Sequence, residues 1–488
     1  MPFLAFLLLL AGAVAAGRCC TCFLVGPTDS RLFAAVLHLT AGLLLVHAAL
    51  AWLDLAGLAW HPLVIVVVVA AVALAVRWSG RARRTLLAPG TAKASGGAAP
   101  RLGWAGCVGA SIVGYFAVLA ASERIAFPDF VYHWGIKGHR YFLGRGIDYE
   151  FLAAEWNLVA HRDYPQLVPE LYALQSMFAG RFSEPVLLLW SAVFFAALLV
   201  AAREGLAAWR VGEDAAWITF VLLALAVGVF AVGHQMAGSV DWIVAFALAA
   251  AIPALARPVS AQGELQLGLL AALAASSKLE GIPLAVLLVA AGFWRRVRGG
   301  SAGNRDAQAA VARTDLAGAT VVGAERDLRS MAGALATAAA RLVVPSVIAV
   351  TPWVVQGLRH DLFRDPQSGG FEIGRAPGIA AAVWRAMLQP EWHFAPFVLL
   401  LLPLLFVRAQ TRLMGAVVAL QLGGYLLRYF TAAFDYEFSV LSSFPRLLFH
   451  VLPAVVVGLA VLSPPDALRA EAGSAPTAEP SSAPTAEP

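Results

Sequence analysis

The sequence predicts an all-α, polytopic integral membrane protein with about 11–13 transmembrane helices and a large first outer loop that carries amphipathic helices. Three observations lead there. Of the 488 residues, 60% are hydrophobic and only 13% charged, against roughly 25% charged in a soluble globular domain, and the mean hydropathy is +0.75. Apolar stretches recur along the chain at lengths near the ~20 residues that cross a bilayer core. The basic residues sit mainly beside those stretches, as membrane orientation requires. A net charge of +5 placed in this way argues against nucleic-acid binding. The four cysteines, Cys19, Cys20, Cys22 and Cys107, lack the spaced pairs of a zinc site or a disulfide framework.

Taken in order, Phe3 to Ala16 is apolar but short, and reads as a first membrane helix, with a signal peptide as the alternative. Arg31 to Leu53 and Leu58 to Val76 are long enough to span. Arg77, Arg81, Arg83, Arg84, Lys93 and Arg101 follow with no acid among them, so this loop is expected in the cytoplasm. It closes an N-terminal region, 1–101, ahead of a core, 102–464. Leu102 to Ala120 runs outward to the loop 121–184, whose charges are nearly balanced. Within that loop Pro128 with Asp129 marks a helix start, Gly144 with Gly146 a stop, and Pro165 or Pro169 a second start.

Pro185 to Ala202 returns inward, Ala215 to Val232 goes out, and Val240 to Leu255 comes back. Leu265 to Ala275 and Ile282 to Phe293 are each too short to span, and flank the polar SSKLEG. Together they read as a re-entrant hairpin, 265–294, with its tip in the outer half of the membrane. The Ala/Gly/Arg-rich stretch 295–340 reads as a mobile cytoplasmic loop with room for one short helix. Arg341 to Gln356 goes out to a second outer loop, 357–392, and Phe394 to Val407 returns. Leu413 to Tyr429 goes out, Phe434 to Phe444 stays outside, and Leu447 to Leu462 ends in the cytoplasm. The tail 465–488, with APTAEP twice, has the composition of a disordered segment.

The polar residues gather on the outer side. Asp129, His133 and Lys137 recur every four residues and share one face if helical, with Arg140 close by. A solvated amphipathic face is the plain alternative. Seven histidines, His133, His139, His161, His234, His360, His393 and His450, fall in outer loops or at outer helix ends. Histidine's tolerance of interfaces accounts for any one of them. Lysine is rare, at Lys93, Lys137 and Lys278 among 35 basic residues, yet it stands in both polar segments. Lys278 with Glu280 at a hairpin tip in a membrane is a functional candidate by default, the alternative being a salt bridge at the interface. Arg446 and His450 lie four apart at the outer end of the last helix, where snorkelling is the alternative for Arg446.

The segment HWGIKGHRYFLGRG after Asp129, then HRDYPQLVPELYAL, SVDWIVAF, SSKLEG and SSFPRLLFHVLP together resemble the polytopic GT-C-type glycosyltransferases. The bacterial relatives of the protein O-mannosyltransferase and aminoarabinose-transferase group are nearest in character. The resemblance covers Leu102 to Leu462 and rests on the order and sidedness of the five segments. It implies a polyprenyl-phosphate-linked sugar as donor and a glycan, lipid or protein as acceptor, brought together on the outer face of a bacterial-type inner membrane. It also implies Asp129 as the acid of the catalytic centre and Lys278, Arg446 and Lys137 as phosphate contacts. His133, His161, Glu280 and His450 complete the expected substrate-binding set. Many relatives carry two adjacent acids where Pro128 precedes a lone Asp129 here, and Asp163 is the next candidate. That departure leaves the base open and a divalent cation open as cofactor, with no metal ligand assigned.

The transfer itself asks little of the protein. A sugar on a lipid phosphate already has a good leaving group, so an acceptor hydroxyl must be placed in line, relieved of its proton, and the departing phosphate neutralised. Attack opposite the phosphate inverts the anomeric centre. Two other classes fit the same charges: a transporter or flippase of lipid-linked sugars, which more often shows internal repeats, and a non-catalytic polyprenyl-phosphate-binding protein.

Overall fold

The computed structural model describes residues 1–21, 30–84, 103–154, 157, 160–311, 321–363, 369–389, 395–432 and 435–462, with backbone alone at 80–84, 299–311, 321–331 and 395–396. The tail 465–488, His393 and most of the basic stretch after Arg84 lie outside these residues. Within them the chain is helical throughout, with no strand.

Helices α1 (Pro2–Thr21) and α2 (Arg31–Leu55) form a hairpin. Small residues bring the two backbones into contact. A Cβ on Gly17 would lie 1.7 Å from the His38 carbonyl oxygen, and one on Gly42 would lie 1.8 Å from that of Ala13. In a lipid environment close backbone approach of this kind supplies dispersion energy that apolar burial alone does not. Next come α3 (Pro62–Arg84) and α4 (Gly103–Ala121), then the polar loop. The loop holds a π-helical turn (Phe130–Gly135), α5 (Ile136–Gly144), α6 (Tyr149–Ala153) and α7 (Leu167–Ala179). Helix α5 stops at Gly144, as its glycines predict, with Arg145 in the left-handed region at φ 53°. The second long helix starts at Leu167, between the two prolines expected to begin it.

After α8 (Glu184–Leu187), α9 (Leu189–Ala208) and α10 (Glu213–Gly233) comes the middle of the molecule, α11 (Asp241–Ala256). Every residue from Asp241 to Leu255 is buried. The Trp242 ring lies 5.2 Å from that of Phe116 and 5.0 Å from those of Phe195 and Phe449, so α4, α9 and the last helix all close on it. A helix apolar on all sides belongs in such a position.

Four expectations are corrected here. The hairpin is longer than its apolar stretches, with α12 (Ala261–Ser277) and α13 (Gly281–Val311) joined at Lys278. At ~1.5 Å per residue α12 reaches roughly 25 Å, still short of the ~30 Å of a bilayer core. The described parts of 295–340 are helix rather than loop, since α13 runs on to Val311 and α14 (Val321–Arg359) begins at Val321; alanine has the highest helix propensity. The loop 357–392 carries α15 (Ala376–Leu388), and the apolar run after it is an extended 3₁₀ helix (Ala395–Phe406) containing Pro403. Finally, α16 (Arg412–Phe430) leads to α17 (Tyr436–Ala460), one unbroken helix through Pro445. Arg446 and His450 therefore sit near its middle and not at its outer end.

Nine helical stretches among the described residues are long and apolar enough to cross a membrane, by length and composition. They are α1, α2, Pro62–Ser79 of α3, α4, the α8–α9 stretch, α10, Ala332–Arg359 of α14, α16 and α17.

Candidate active site

The two chain segments that carry the central acids are tied together before either acid is reached. Phe127 N donates to the Ala237 carbonyl (2.8 Å) and Ala237 N to that of Ile125 (3.0 Å), a lone parallel bridge. Gly238 follows at φ +84°, where a Cβ would lie 2.7 Å from both Leu188 and Phe130 side-chain atoms. Only glycine combines that backbone conformation with that approach. Asp129 and Asp241 then project toward the same place, and α17 delivers Arg446 between them.

Arg446 holds both acids. Its Nη2 lies 2.7 Å from Asp129 Oδ2 and 3.0 Å from Asp241 Oδ2, and its Nε lies 3.1 Å from the latter. The guanidinium also stacks over the Phe127 ring, 4.3 Å from its centroid. From the hairpin tip, Lys278 Nζ reaches Asp241 Oδ1 at 2.8 Å and Glu280 Oε1 at 3.4 Å. One turn past Arg446 on α17, His450 Nε2 lies 2.8 Å from Asp241 Oδ1. The tautomer follows from the next partners: Gln421 Nε2 donates to Tyr425 Oη (2.7 Å), so the Tyr425 hydroxyl donates to His450 Nδ1 (2.6 Å), leaving the proton on Nε2 to face Asp241. Ser239 Oγ donates to Asp241 Oδ2 at 2.6 Å.

Asp241 is thus fully buried with both oxygens occupied, while the Asp129 side chain keeps a fifth of its surface exposed. Asp129 also makes no capping bond at the helix it begins, which removes the bland reading of an acid placed there as an N-cap. Burial pushes the Asp129 carboxyl up, but the Arg446 guanidinium, with His133 and Lys278, outweighs it and holds the group at about 2.

The other predicted residues divide. His133 Nε2 lies 3.5 Å from Asp129 Oδ1, and its ring stands 4.3 Å from that of His161, which stacks on Tyr164 at 4.6 Å. Tyr164 in turn donates to Glu280 Oε1 at 3.3 Å. Burial and the charges of His133 and Lys137 lower the His161 imidazole to about 3, so it is neutral there. Lys137 does not join Arg446 and Lys278. The π-helical turn changes the register of the polar stripe, and Lys137 is wholly buried, with its Nζ donating to the His161 carbonyl at 2.8 Å and lying 5.2 Å from the Trp134 ring centroid. Burial lowers it to about 7 against the opposing pull of Asp163. Asp163 bears on Lys137, and Arg140 pairs with Asp148 at 2.8 Å.

Asp241 is the residue that sequence reasoning missed. Its signal was present in DWIVAFALAAAIPALA, a single acid heading an otherwise apolar helix, and the rule that singled out Lys278 applies to it equally. A divalent cation does not fit this arrangement. Both oxygens of Asp241 already take cationic or N–H and O–H donors, Asp129 shares Arg446, and no three His, Cys, Asp or Glu side chains group as a metal site among the described residues.

Fold and site together define an all-helical chain of membrane-protein character with a buried, nearly charge-balanced cluster at its centre. The chain matches no family model, and no curated protein and no solved structure matches it.

Proposed function

We propose that the chain is a membrane glycosyltransferase that moves a sugar from a polyprenyl-phosphate donor to an acceptor hydroxyl, with inversion, on the non-cytoplasmic face of a bacterial-type inner membrane. In this reading the loop 121–184 and the tip at Lys278 lie on that face, and helices beyond the nine most apolar stretches complete the 11–13 that span. One observation carries the reading: Arg446 is shared between a partly exposed carboxylate, Asp129, and a buried one, Asp241, with Lys278 alongside. A buried ion cluster of this size is poor value as a stabiliser, since apolar packing does as well or better. Its worth lies in what it can exchange.

The donor phosphate is drawn to Lys278 and Arg446, which supply charge-assisted hydrogen bonds. As Arg446 turns toward the phosphate, Asp129 loses the charge that holds its carboxyl low and becomes a stronger base. Asp129 then takes the acceptor hydroxyl proton as the acceptor oxygen bonds to the anomeric carbon, and the phosphate departs with the electron pair of the broken C–O bond. Asp241 takes no part in the proton transfer; it is a positioning residue that keeps the two cations together between turnovers.

Membranes containing the chain, supplied with radiolabelled polyprenyl-phosphate sugars, are expected to pass label from lipid to a non-lipid or second lipid product. Label that binds yet stays on the donor would favour a binding protein or flippase instead.

A further inference from the structure

A second buried polar group lies apart from this cluster, where α2, α7 and α14 meet, and nothing in the proposed transfer uses it. His47 on α2 faces Glu170 on α7, with Nδ1 2.6 Å from Oε2, and the two residues are 3% and 1% exposed. On its other side His47 Nε2 lies 3.1 Å from the Ala349 carbonyl oxygen of α14. The docking is reinforced close by. Pro352 has no N–H to offer the carbonyl four residues back, and that carbonyl, of Ile348, takes the Trp52 indole N–H from α2 at 3.1 Å.

Hydrogen counting then fixes the state of the pair. A carbonyl can only accept, so Nε2 of His47 carries a hydrogen. If Nδ1 carried none and Glu170 were ionised, two lone pairs would face each other at 2.6 Å. One proton must therefore lie between Nδ1 and Oε2, either on an imidazolium against a carboxylate or on a carboxylic acid against a neutral imidazole. In both forms the pair holds one proton more than a neutral histidine beside an ionised glutamate.

We propose that His47 and Glu170 form a buried proton-binding site that keeps one proton across the neutral pH range and, while it does, clamps α2 to both α7 and α14. Loss of the proton leaves His47 one hydrogen for two acceptors, so one of the two contacts must open. The surroundings favour retention. Burial raises the Glu170 carboxyl against the pull of His47, and the nearby charge of Asp54 raises it further. Asp54 is itself held by Tyr149 Oη, by Ile147 N at 3.1 Å and by Gln356 Nε2 at 3.3 Å. Tyr141, on α5, feels both acids. The second oxygen of Glu170, Oε1, is buried without a hydrogen-bond partner among the described residues, and Glu170 lines a small cavity with Asp54, Tyr149, Gln166 and Trp353. Helix α7 follows directly on the loop that carries His161 and Tyr164, so opening the α2–α7 contact reaches the candidate active site.

The linkage has a definite sign. The unfolded chain releases its imidazole proton at about pH 6.5, so a proton that the folded pair still holds above that pH makes stability fall as pH rises. While the folded pair keeps its proton and the unfolded chain does not, the folded-to-unfolded ratio falls about tenfold per pH unit. Glu170→Gln distinguishes this from a plain ion pair, because the glutamine amide donates to Nδ1, Nε2–H keeps the carbonyl, and no extra proton is required. With purified full-length chain in lipid nanodiscs, the wild-type thermal midpoint is expected to drop from pH 6.5 to 9 more steeply than that of Glu170→Gln, so that the variant is the more stable at pH 9. Infrared pH-difference spectra of the unmodified chain, needing no variant, are expected to show a one-proton carboxylate or imidazole step above pH 7. Parallel midpoint curves for the two chains, or spectra in which no such step occurs above pH 7, would overturn the proposal.

Discussion

At the scale of single residues, the candidate site sets two carboxylates against each other. Asp129 is reachable, and among the described residues only a 3.5 Å contact to His133 occupies its Oδ1; Asp241 is sealed and fully bonded. Asp129→Asn keeps shape and volume but cannot take a proton, so transfer is expected to fall on the order of 10²-fold or more with donor binding retained, measured with donor saturating. Asp163→Asn is the milder control, because Asp163 bears on Lys137. The pH dependence follows from the lowered Asp129 carboxyl, about 2. Free enzyme keeps Asp129 ionised throughout the working range, so kcat/KM should show no acid limb from this group near pH 4. The kcat profile, which reports the donor complex, should show one at higher pH once Arg446 has turned away. Identical acid limbs in both profiles would rule out the exchange of Arg446. Replacement of Arg446 by Ala is a harsher test than the sequence suggested, because it strips a partner from fully buried Asp241, at a cost of roughly 3–5 kcal/mol. Asp241→Asn in the same chain should restore part of that stability, and the double-mutant cycle reads the coupling directly.

Helices show which parts of the chain a sequence reports faithfully. Long apolar runs such as those now in α2, α4 and α10 were legible nearly to the residue, since a bilayer demands both length and hydrophobicity. Three kinds of feature were not. The Ala/Gly/Arg stretch around 299–340 has no apolar face, so its helical propensity was outweighed by its loop-like composition. Pro445 was read as a boundary, whereas a helix packed against neighbours tolerates proline when other groups satisfy the freed carbonyl. The π-helical turn at Phe130–Gly135 shifts register in a way no residue type announces, which is why Lys137 parted from Asp129 and His133. The shared site was legible in its cations and in Asp129, but not in Asp241, because the apolar stretch around it was read as a span and its acid was passed over. The α1–α2 contact gives an element-scale prediction. Gly17→Ala must push a methyl group into the His38 carbonyl, whereas Gly12, in the same helix, has nothing within 4 Å of where its Cβ would be. Gly17→Ala is therefore expected to cost on the order of 1–3 kcal/mol, and Gly12→Ala to gain roughly 0.5–1 kcal/mol from reduced chain entropy. Thermal midpoints of the two variants check the difference.

For the whole molecule the open physical question is which end of the bundle faces which solution, and α13 makes it answerable. Its first residue, Gly281, adjoins the Lys278 tip beside Asp129, and Arg295, Arg296 and Arg298 follow in the same helix. From Gly281 to Arg295 the rise at ~1.5 Å per residue is about 21 Å, most of a bilayer core, so the acid cluster and the arginines belong to opposite ends. The arginine end is anchored by acids of its own: Glu264 takes Arg296 at 2.6 Å and Arg341 at 2.9 Å, and buried Glu204 takes Arg257. Six of the 35 basic residues also cluster in the acid-free stretch from Arg77 to Arg101, for which the positive-inside bias predicts the cytoplasmic side. With the four native cysteines replaced by serine, a single cysteine at Gly144 projects into open space, since a Cβ there meets nothing within 4 Å. In intact cells it is expected to react with a membrane-impermeant maleimide, and a cysteine at Gly299 to react only after the membrane is opened. If Gly299→Cys labels from outside and Gly144→Cys does not, the acid cluster faces the cytoplasm, and a donor whose phosphate is presented on the outer leaflet can no longer be its substrate.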